Sequence, residues 1–458
     1  MQVVRGSGVE YYVRDLVPGP DGPTGPDGLP GVAGESPGEW AGAGRSVLGL
    51  HGRVAPADFR TVLAGRDPLG DRDLRVDQSG RAVAGFDLVF VAPKSVSLLH
   101  LLAPGELADA AGGAHEAAVD DALGHLERRV LGVRRTRGGT THLLGTTGAV
   151  GAGFVHRTSR ALDPHLHTHL VTANVAQGVD GVWSSIDSRR LFHHRRALQA
   201  VYDASLRHEL SRRAGVSWVR GPSGGWDVVG VDPVLHRLFS QRAASIEEHL
   251  FRQGGARASP GIRRRAFHAG RPDKDIGQTI SGLRAEWRRR ALDHGLDTSD
   301  LIGVVGRAPR GWTPDAVDPE IVAAALDVRI GTRHGLDGRD LVAVVAESAP
   351  GGLPSSRVEQ LADALEAGVP GAGRRSGTPP SERPVGGHGA RWRADDVTRA
   401  LGQLSGDRTR VRGVGGDDAL PAGPAPERIR QRDGDRSPAV TGWSVSRASG
   451  RDRGVRWR

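Results

Sequence analysis

The stretch HRTSRALDPHLHTHL, residues 156–170, decides how this chain is read. His165, His167 and His169 recur at every second position. Alternate side chains of a β-strand leave on one face, so an extended segment here points all three the same way. His156 closes the preceding run 151–156, and an antiparallel partner would bring it alongside. Neutral imidazoles gathered on one face suit a divalent ion such as Zn, Mn or Mg. Three protein ligands leave coordination positions open for a substrate oxygen. The same cluster also suits contact with phosphate, and a single buried histidine is most often a satisfied core residue. Two same-face histidines with a third on the neighbouring strand fit that ordinary role poorly.

Working outward, the chain reads as α+β, with a central antiparallel sheet, a metal on one face and helices on the other. GFDLVFVAP (85–93) predicts a strand, and 95–102 predicts a helix broken by Pro104. The run 115–129 is amphipathic, with Val119, Leu123 and Leu126 on one stripe. Strands are predicted at 130–136 and 141–145, joined by a turn at Gly138 and Gly139, and again at 151–156 and 166–175. A long helix over 191–213 and a hairpin over 216–231 follow, then helices over 232–252, 278–295, 318–332 and 355–367. The Pro/Gly-rich run 18–39 reads as a loop, and 369–458 as a disordered basic tail with a transient helix at 394–404. The expected division is a catalytic domain over 1–300, a helical extension over 301–368, and the tail.

A length of 458 residues allows two or three domains, and 38% hydrophobic content suits a chain of which part is unfolded. A net charge of +9 favours a polyanionic partner, although arginine-rich composition also follows from a GC-rich genome. The only lysines are Lys94 and Lys274, and neither lies in the Gly-Lys-Ser/Thr setting of a phosphate-binding loop, so no ATP site of that kind is present. Cysteine is absent, which excludes disulfides, thiolate metal sites and cysteine nucleophiles. The polar start lacks the apolar core of a signal peptide, and no run reaches the roughly 18 apolar residues of a membrane span. A soluble, cytoplasmic protein without membrane insertion is expected.

GFDLVFVAPKSVSLLHLL (85–102) followed by FVHRTSRALDPHLHTHLVTANVA (154–176) resembles the relaxase domain of MobF-type, TrwC-like conjugative proteins, in the HUH endonuclease superfamily. The resemblance runs from Tyr11 to about residue 300 and includes GVWSSIDSRRLF, AVYDASLRHEL and GLRAEW. It implies the HUH relaxase fold, and a metal triad at His156, His167 and His169, with His165 accessory. It places the family's acidic residue at Asp87, where a carboxylate can orient a metal-bound histidine or help take a proton from the nucleophile. It also implies a nucleophile near the N-terminus, in the pair Tyr11 and Tyr12. The third tyrosine, Tyr202, shares a helix face with Leu206 and Leu210 and reads as core. A phenol attacks phosphorus only when deprotonated and when the phosphate is made electrophilic, which a divalent ion accomplishes. The implied activity is nicking and transfer of single-stranded DNA at an origin of transfer, through a 5′-phosphotyrosine that conserves the phosphodiester energy.

Family members often carry two tyrosine pairs. Here there is one, so this chain works with one pair, begins upstream, or differs in its second transfer step. The family usually continues into a helicase and this sequence does not, so the expectation is either a truncated version or one that relies on a separate helicase or coupling protein. Lys94, Arg157, Arg160, Arg189 and Arg190 are the foremost candidates for DNA contact. Further basic runs are Arg128, Arg129, Arg134, Arg135 and Arg137, then Arg195 and Arg196, and residues 263–265, each of which can equally be a solvated face. With 4% aromatics, stacking on bases must rest on a few residues such as Trp183 or Trp218. Two other readings stand beside this one. A rolling-circle replication initiator would use a tyrosine after the histidine motif, and a catalytically inactive relaxase remnant would only bind DNA.

Overall fold

A computed structural model describes residues 2–5, 9, 38–75, 83–159, 161–221, 224–241, 279–308, 317–332, 336–367 and 384–385. Along the chain, β1 (Gln2–Arg5), β2 (Glu39–Ala41), α1 (Pro56–Leu63), β3 (Val83–Val91), α2 (Lys94–Leu102) and α3 (Gly105–His125) lead to a hairpin of β4 (Val133–Arg137) and β5 (Thr140–Leu144). Next come β6 (Gly151–Thr158), β7 (Pro164–Ala173), the short β8 (Ala176–Gln177) and β9 (Trp183–Ser184), and α4 (Ser188–Ala214). A second hairpin, β10 (Trp218–Arg220) and β11 (Trp226–Val228), precedes α5 (Pro233–Leu238) and α6 (Ile280–Leu292). The remaining elements are α7 (Pro319–Thr332), β12 (Leu336–Asp337), α8 (Gly338–Ser348), α9 (Ser355–Ala367) and β13 (Pro384–Val385).

The central sheet has the order β1-β3-β7-β6-β2, and every neighbouring pair is antiparallel. One face packs Phe86, Leu88, Phe90, Leu166 and Leu170 against α2, α3 and α4 in the larger core. The opposite face is divided. Toward β2, Ala152, Phe154, Val171 and Ala173 join Phe59, Val62 and Leu63 of α1 in a smaller core. Further along the same face the apolar residues give way to His156, His167 and His169. Alternation therefore holds through both strands, and the histidines occupy positions that would otherwise extend a core.

Local chemistry sets the element ends. Asp187 caps α4 by accepting from the Arg189 amide, and Gly215 ends it at φ 61°, a left-handed conformation that costs glycine little. Pro104, expected as a helix breaker, follows the end of α2 at Leu102 and stands immediately before α3, where its fixed φ also suits a helix start. The helix begins ten residues before the amphipathic run suggested, and it ends in a π turn over Leu126–Val130.

Residues after 308 form a second apolar cluster. Val322, Leu326, Leu341, Val344, Val345, Leu353, Val358, Leu361 and Leu365 pack on Ala200, Val201 and Ala204 of α4. By contrast Leu283, Trp287, Ala291, Leu301 and Val304 belong to the larger core. The helix α8 was not expected. Of the helix expected over 232–252, only α5 is described, and residues beyond Gln241 lie outside the described set, as do 263–265 and 394–404. The loop 18–39 is described only at its end, where Glu39 already belongs to β2. The expected tail is described only at β13, which pairs with β12.

Candidate active site

The register of β6 on β7 sets His156 directly opposite His167, and that of β7 on β3 sets His169 opposite Val89. Asp87 lies opposite Val171, two positions along from His169 on the same face, so Asp87 and His169 are diagonal neighbours. The imidazole of His156 stands 5.0 Å from that of His167 and 4.9 Å from that of His169, centroid to centroid. Ligand atoms of the three all lie within 4.8 Å of one another. Among the described residues this is the only histidine or carboxylate group so arranged.

Hydrogen bonds fix which nitrogen His167 and His169 offer. His169 Nδ1 lies 3.0 and 2.9 Å from the two oxygens of Asp87, and His167 Nδ1 lies 2.9 Å from the His165 carbonyl. A carboxylate oxygen and a backbone carbonyl both accept, so each Nδ1 donates and Nε2 is the ring nitrogen left for a ligand. Burial, reinforced by the neighbouring His165, holds His167 neutral well below the usual imidazole range. His165 is likewise lowered, to about 4, by burial and then by Lys94. Converging imidazole nitrogens, one ring braced by a buried carboxylate, are the donor set that a divalent ion requires. The residues present fit such an ion. His165 packs its ring 4.7 Å from that of His167, at the margin of the triad.

Lys94 begins α2, and its ammonium donates at 2.6 Å to the Pro164 carbonyl at the start of the histidine-bearing strand. Burial lowers its pKa to about 8, against the opposing pull of Asp163. It is thus tied to the strand as well as near the site. Arg157 follows His156 on β6, partly buried, and burial together with Arg284 lowers its pKa. Tyr11, Tyr12 and Arg160 lie outside the described residues. Val9, two residues before Tyr11, packs against the smaller core, on the sheet face that bears the histidines.

Several basic residues take structural roles rather than facing an open groove. Arg190, expected to contact DNA, is 6% exposed and donates to the carbonyls of Val130 and Arg129 where the π turn ends. Arg128 and Arg129 bind Glu359, and Arg129 also binds Asp363, which fastens α9. Arg134 pairs with Asp187 and Arg135 with Asp180. Arg137, Arg189 and Arg195 remain exposed. Trp218, expected to stack on bases, is a core residue whose Nε1 donates to Ser211 Oγ at 2.9 Å. Trp183 is half-buried beside Arg72. Tyr202 is fully buried and hydrogen-bonded at 2.8 Å to His115, as its helix spacing indicated, and burial raises its pKa.

One feature escaped the sequence reading. A cavity of about 600 Å³ opens beyond the end of β3, between α4 and the β10–β11 hairpin, with Lys94, Arg196, Asp203, Arg207, Arg220 and Trp226 in its wall. The guanidinium of Arg207 lies 4.8 Å and that of Arg220 4.2 Å from the Trp226 ring. The signal was Arg207, an arginine beside Leu206 and Leu210 on a helix whose buried stripe should be apolar.

Fold and site together define a class: α+β proteins with three facing imidazoles on an open antiparallel sheet, a buried carboxylate behind one of them, and helices on the reverse. Within that class the chain belongs to the TrwC relaxase family, whose profile matches residues 9–294. The multifunctional conjugation protein TraI of Escherichia coli is 36% identical over 228 residues, which are 47% of this chain and 12% of TraI. The chain therefore spans only a small part of that relative's length. The conjugative relaxase TrwC, in a metal-bound complex with oriT DNA, superposes with a TM-score of 0.57 at 31% identity, covering 65% of this chain and 99% of that one. TrwC bound to a 27-mer comprising its recognition hairpin and cleavage site gives 0.55 at 30% identity. No helix among the described residues is long and apolar enough to cross a membrane.

Proposed function

We propose that this protein nicks one strand of DNA at an origin of transfer and later rejoins it, with Tyr11 or Tyr12 as nucleophile. The phenolic oxygen forms a bond to phosphorus while the bond from phosphorus to the 3′ oxygen breaks. That leaves a 5′-phosphotyrosine and a 3′-hydroxyl. The phenolic proton passes to a nearby base, and the departing 3′ oxygen takes up a proton. His156, His167 and His169 would hold a divalent ion, which would supply Lewis acidity toward a non-bridging phosphate oxygen. Asp87 keeps the His169 tautomer in place. Lys94 supplies positive charge beside the strand of histidines, whereas Arg157 is turned toward the helices on the reverse face.

The observation that carries this reading is the convergence of the three imidazoles with Asp87, in a chain of the TrwC relaxase family. The metal-bound state of the TrwC complex supports a divalent ion here, and its oriT ligand supports DNA as the substrate. The packing of Val9 on the histidine-bearing side supports a nucleophile a few residues onward. The buried Tyr202 weighs against a replication initiator that attacks from that helix.

Covalent capture tests the proposal. Protein is incubated with single-stranded oligonucleotides tiling the origin of transfer, with Mg²⁺ or Mn²⁺, then denatured and mapped by peptide mass spectrometry. An adduct on Tyr11 or Tyr12, lost with EDTA and in the Tyr→Phe variant, is the expected result. Tight DNA binding with no adduct on any oligonucleotide would favour an inactive, DNA-binding relative instead.

A further inference from the structure

The cavity beyond β3 has one lining residue from outside the family-matching region, Glu347 at the end of α8. Its carboxylate lies 3.3 Å from Arg196, and its backbone carbonyl accepts from Arg220 at 3.0 Å. The neighbouring carbonyls of Ala346 and Ala349 accept from Arg207 at 2.8 and 3.2 Å. The C-terminal end of α8, negative by its dipole, is therefore turned onto the three arginines of the cavity wall.

These contacts differ in how readily they exchange. Arg207 is 2% exposed, and its carbonyl partners are backbone groups fixed by a helix end, so that contact persists while α8 is docked. The side chains of Arg196 and Glu347 are 53% and 38% exposed. An ion pair so open to water contributes little and gives way readily to a competing anion. Arg196 also stands on the same helix as Arg207, and both line the cavity together with Lys94.

From this we propose that the segment 317–367 restrains DNA binding by the relaxase region, with Glu347 as the restraining group. Glu347 occupies Arg196 in the free protein, and a phosphate of the DNA strand must displace it. The restraint lowers affinity for any strand offered, and it falls hardest on strands whose other contacts are too few to meet the cost of displacement. The proposal rests on the reading that this protein binds single-stranded DNA.

Its test uses the full chain and two variants. Glu347→Gln removes the charge and keeps the shape. Gly352→Val acts at a distance. Gly352 has φ 80°, and a Cβ there would stand 2.1 Å from the Ala204 carbonyl and 2.3 Å from the His208 amide. A side chain at that position also meets the Cβ of Arg207 at 2.7 Å and wedges the extension from α4 without replacing a cavity residue. Binding of a fluorescent single-stranded oligonucleotide of unrelated sequence is measured against salt, with circular dichroism to verify folding. Both variants should bind more tightly, about two- to fivefold at moderate salt. The gain from Glu347→Gln should shrink as salt rises, because salt screens the exposed ion pair that the substitution removes. Unchanged or weaker binding by Glu347→Gln would overturn the proposal, the latter because Glu347 would then be a direct DNA contact. Failure of the wild-type protein to bind any oligonucleotide would instead overturn the functional reading itself.

Discussion

Asp87 is 1% exposed and bound to His169, so its carboxylate is held where water cannot replace it. Asp87→Asn keeps the shape but removes the charge that selects the Nδ1–H tautomer. Calorimetric titration with Mn²⁺ should then show metal affinity reduced by about 10- to 100-fold, the usual effect of losing such a partner. Equal affinity would make the carboxylate a packing residue only. Tyr202→Phe separates the tyrosines in a different way. It removes a buried hydroxyl and leaves a ring nitrogen of His115 without a partner, in a histidine whose pKa burial has lowered to about 3. Denaturant unfolding should show a loss of about 1–2 kcal/mol. Oligonucleotide cleavage should be retained, and its disappearance would make Tyr202 a candidate nucleophile. The histidines were legible in the sequence because a period of two and an antiparallel register need only local information. The place of Asp87 was legible only by resemblance, since nothing local distinguishes a bridging carboxylate from a solvated one. Arg190 was misread for a related reason, because an arginine that clamps backbone carbonyls has the same composition signal as one that meets phosphate.

At the scale of elements, α8 illustrates how tertiary packing overrides local preference. Its valines at 342, 344 and 345 favour strand, yet Asp337 and Asp340 form a reciprocal capping box that starts a helix, and Val344 and Val345 are buried in the second cluster. The next helix, α9, is fastened by a polar network rather than by apolar area alone. Glu359 accepts from His125 at 2.8 Å and from Arg128 and Arg129, while Ser355 binds Asp121. Burial raises the pKa of Glu359, but the His125 and Arg128 hydrogen bonds outweigh it and bring the value down to about 2. A carboxylate depressed from 4.5 stabilises the docked state fully above pH 4.5, and that contribution fades as pH falls toward 2. Hydrogen exchange across 355–367 should therefore accelerate over that window ahead of the central sheet. In Glu359→Gln it should already be fast at pH 7. Identical protection in the variant at neutral pH would show that the apolar contacts hold α9 alone.

For the whole molecule, the arrangement around α4 matters most. One side of this helix gives the larger core Leu191, Leu198, Tyr202, Leu206 and Leu210, whereas the side toward the extension gives Ala200, Val201 and Ala204. Losing the extension would uncover a narrow stripe of small side chains, not a patch large enough to drive aggregation. A protein ending at residue 308 should accordingly remain folded and monomeric, and circular dichroism with light scattering would reveal it. Precipitation or loss of the sheet signal would show that the two clusters depend on each other. If the fragment stands alone, the small face of α4 acquires a historical meaning. A helix that presents alanines outward is a neutral mounting surface, on which a lineage can add, exchange or discard an accessory segment without rebuilding the sheet that carries the histidines.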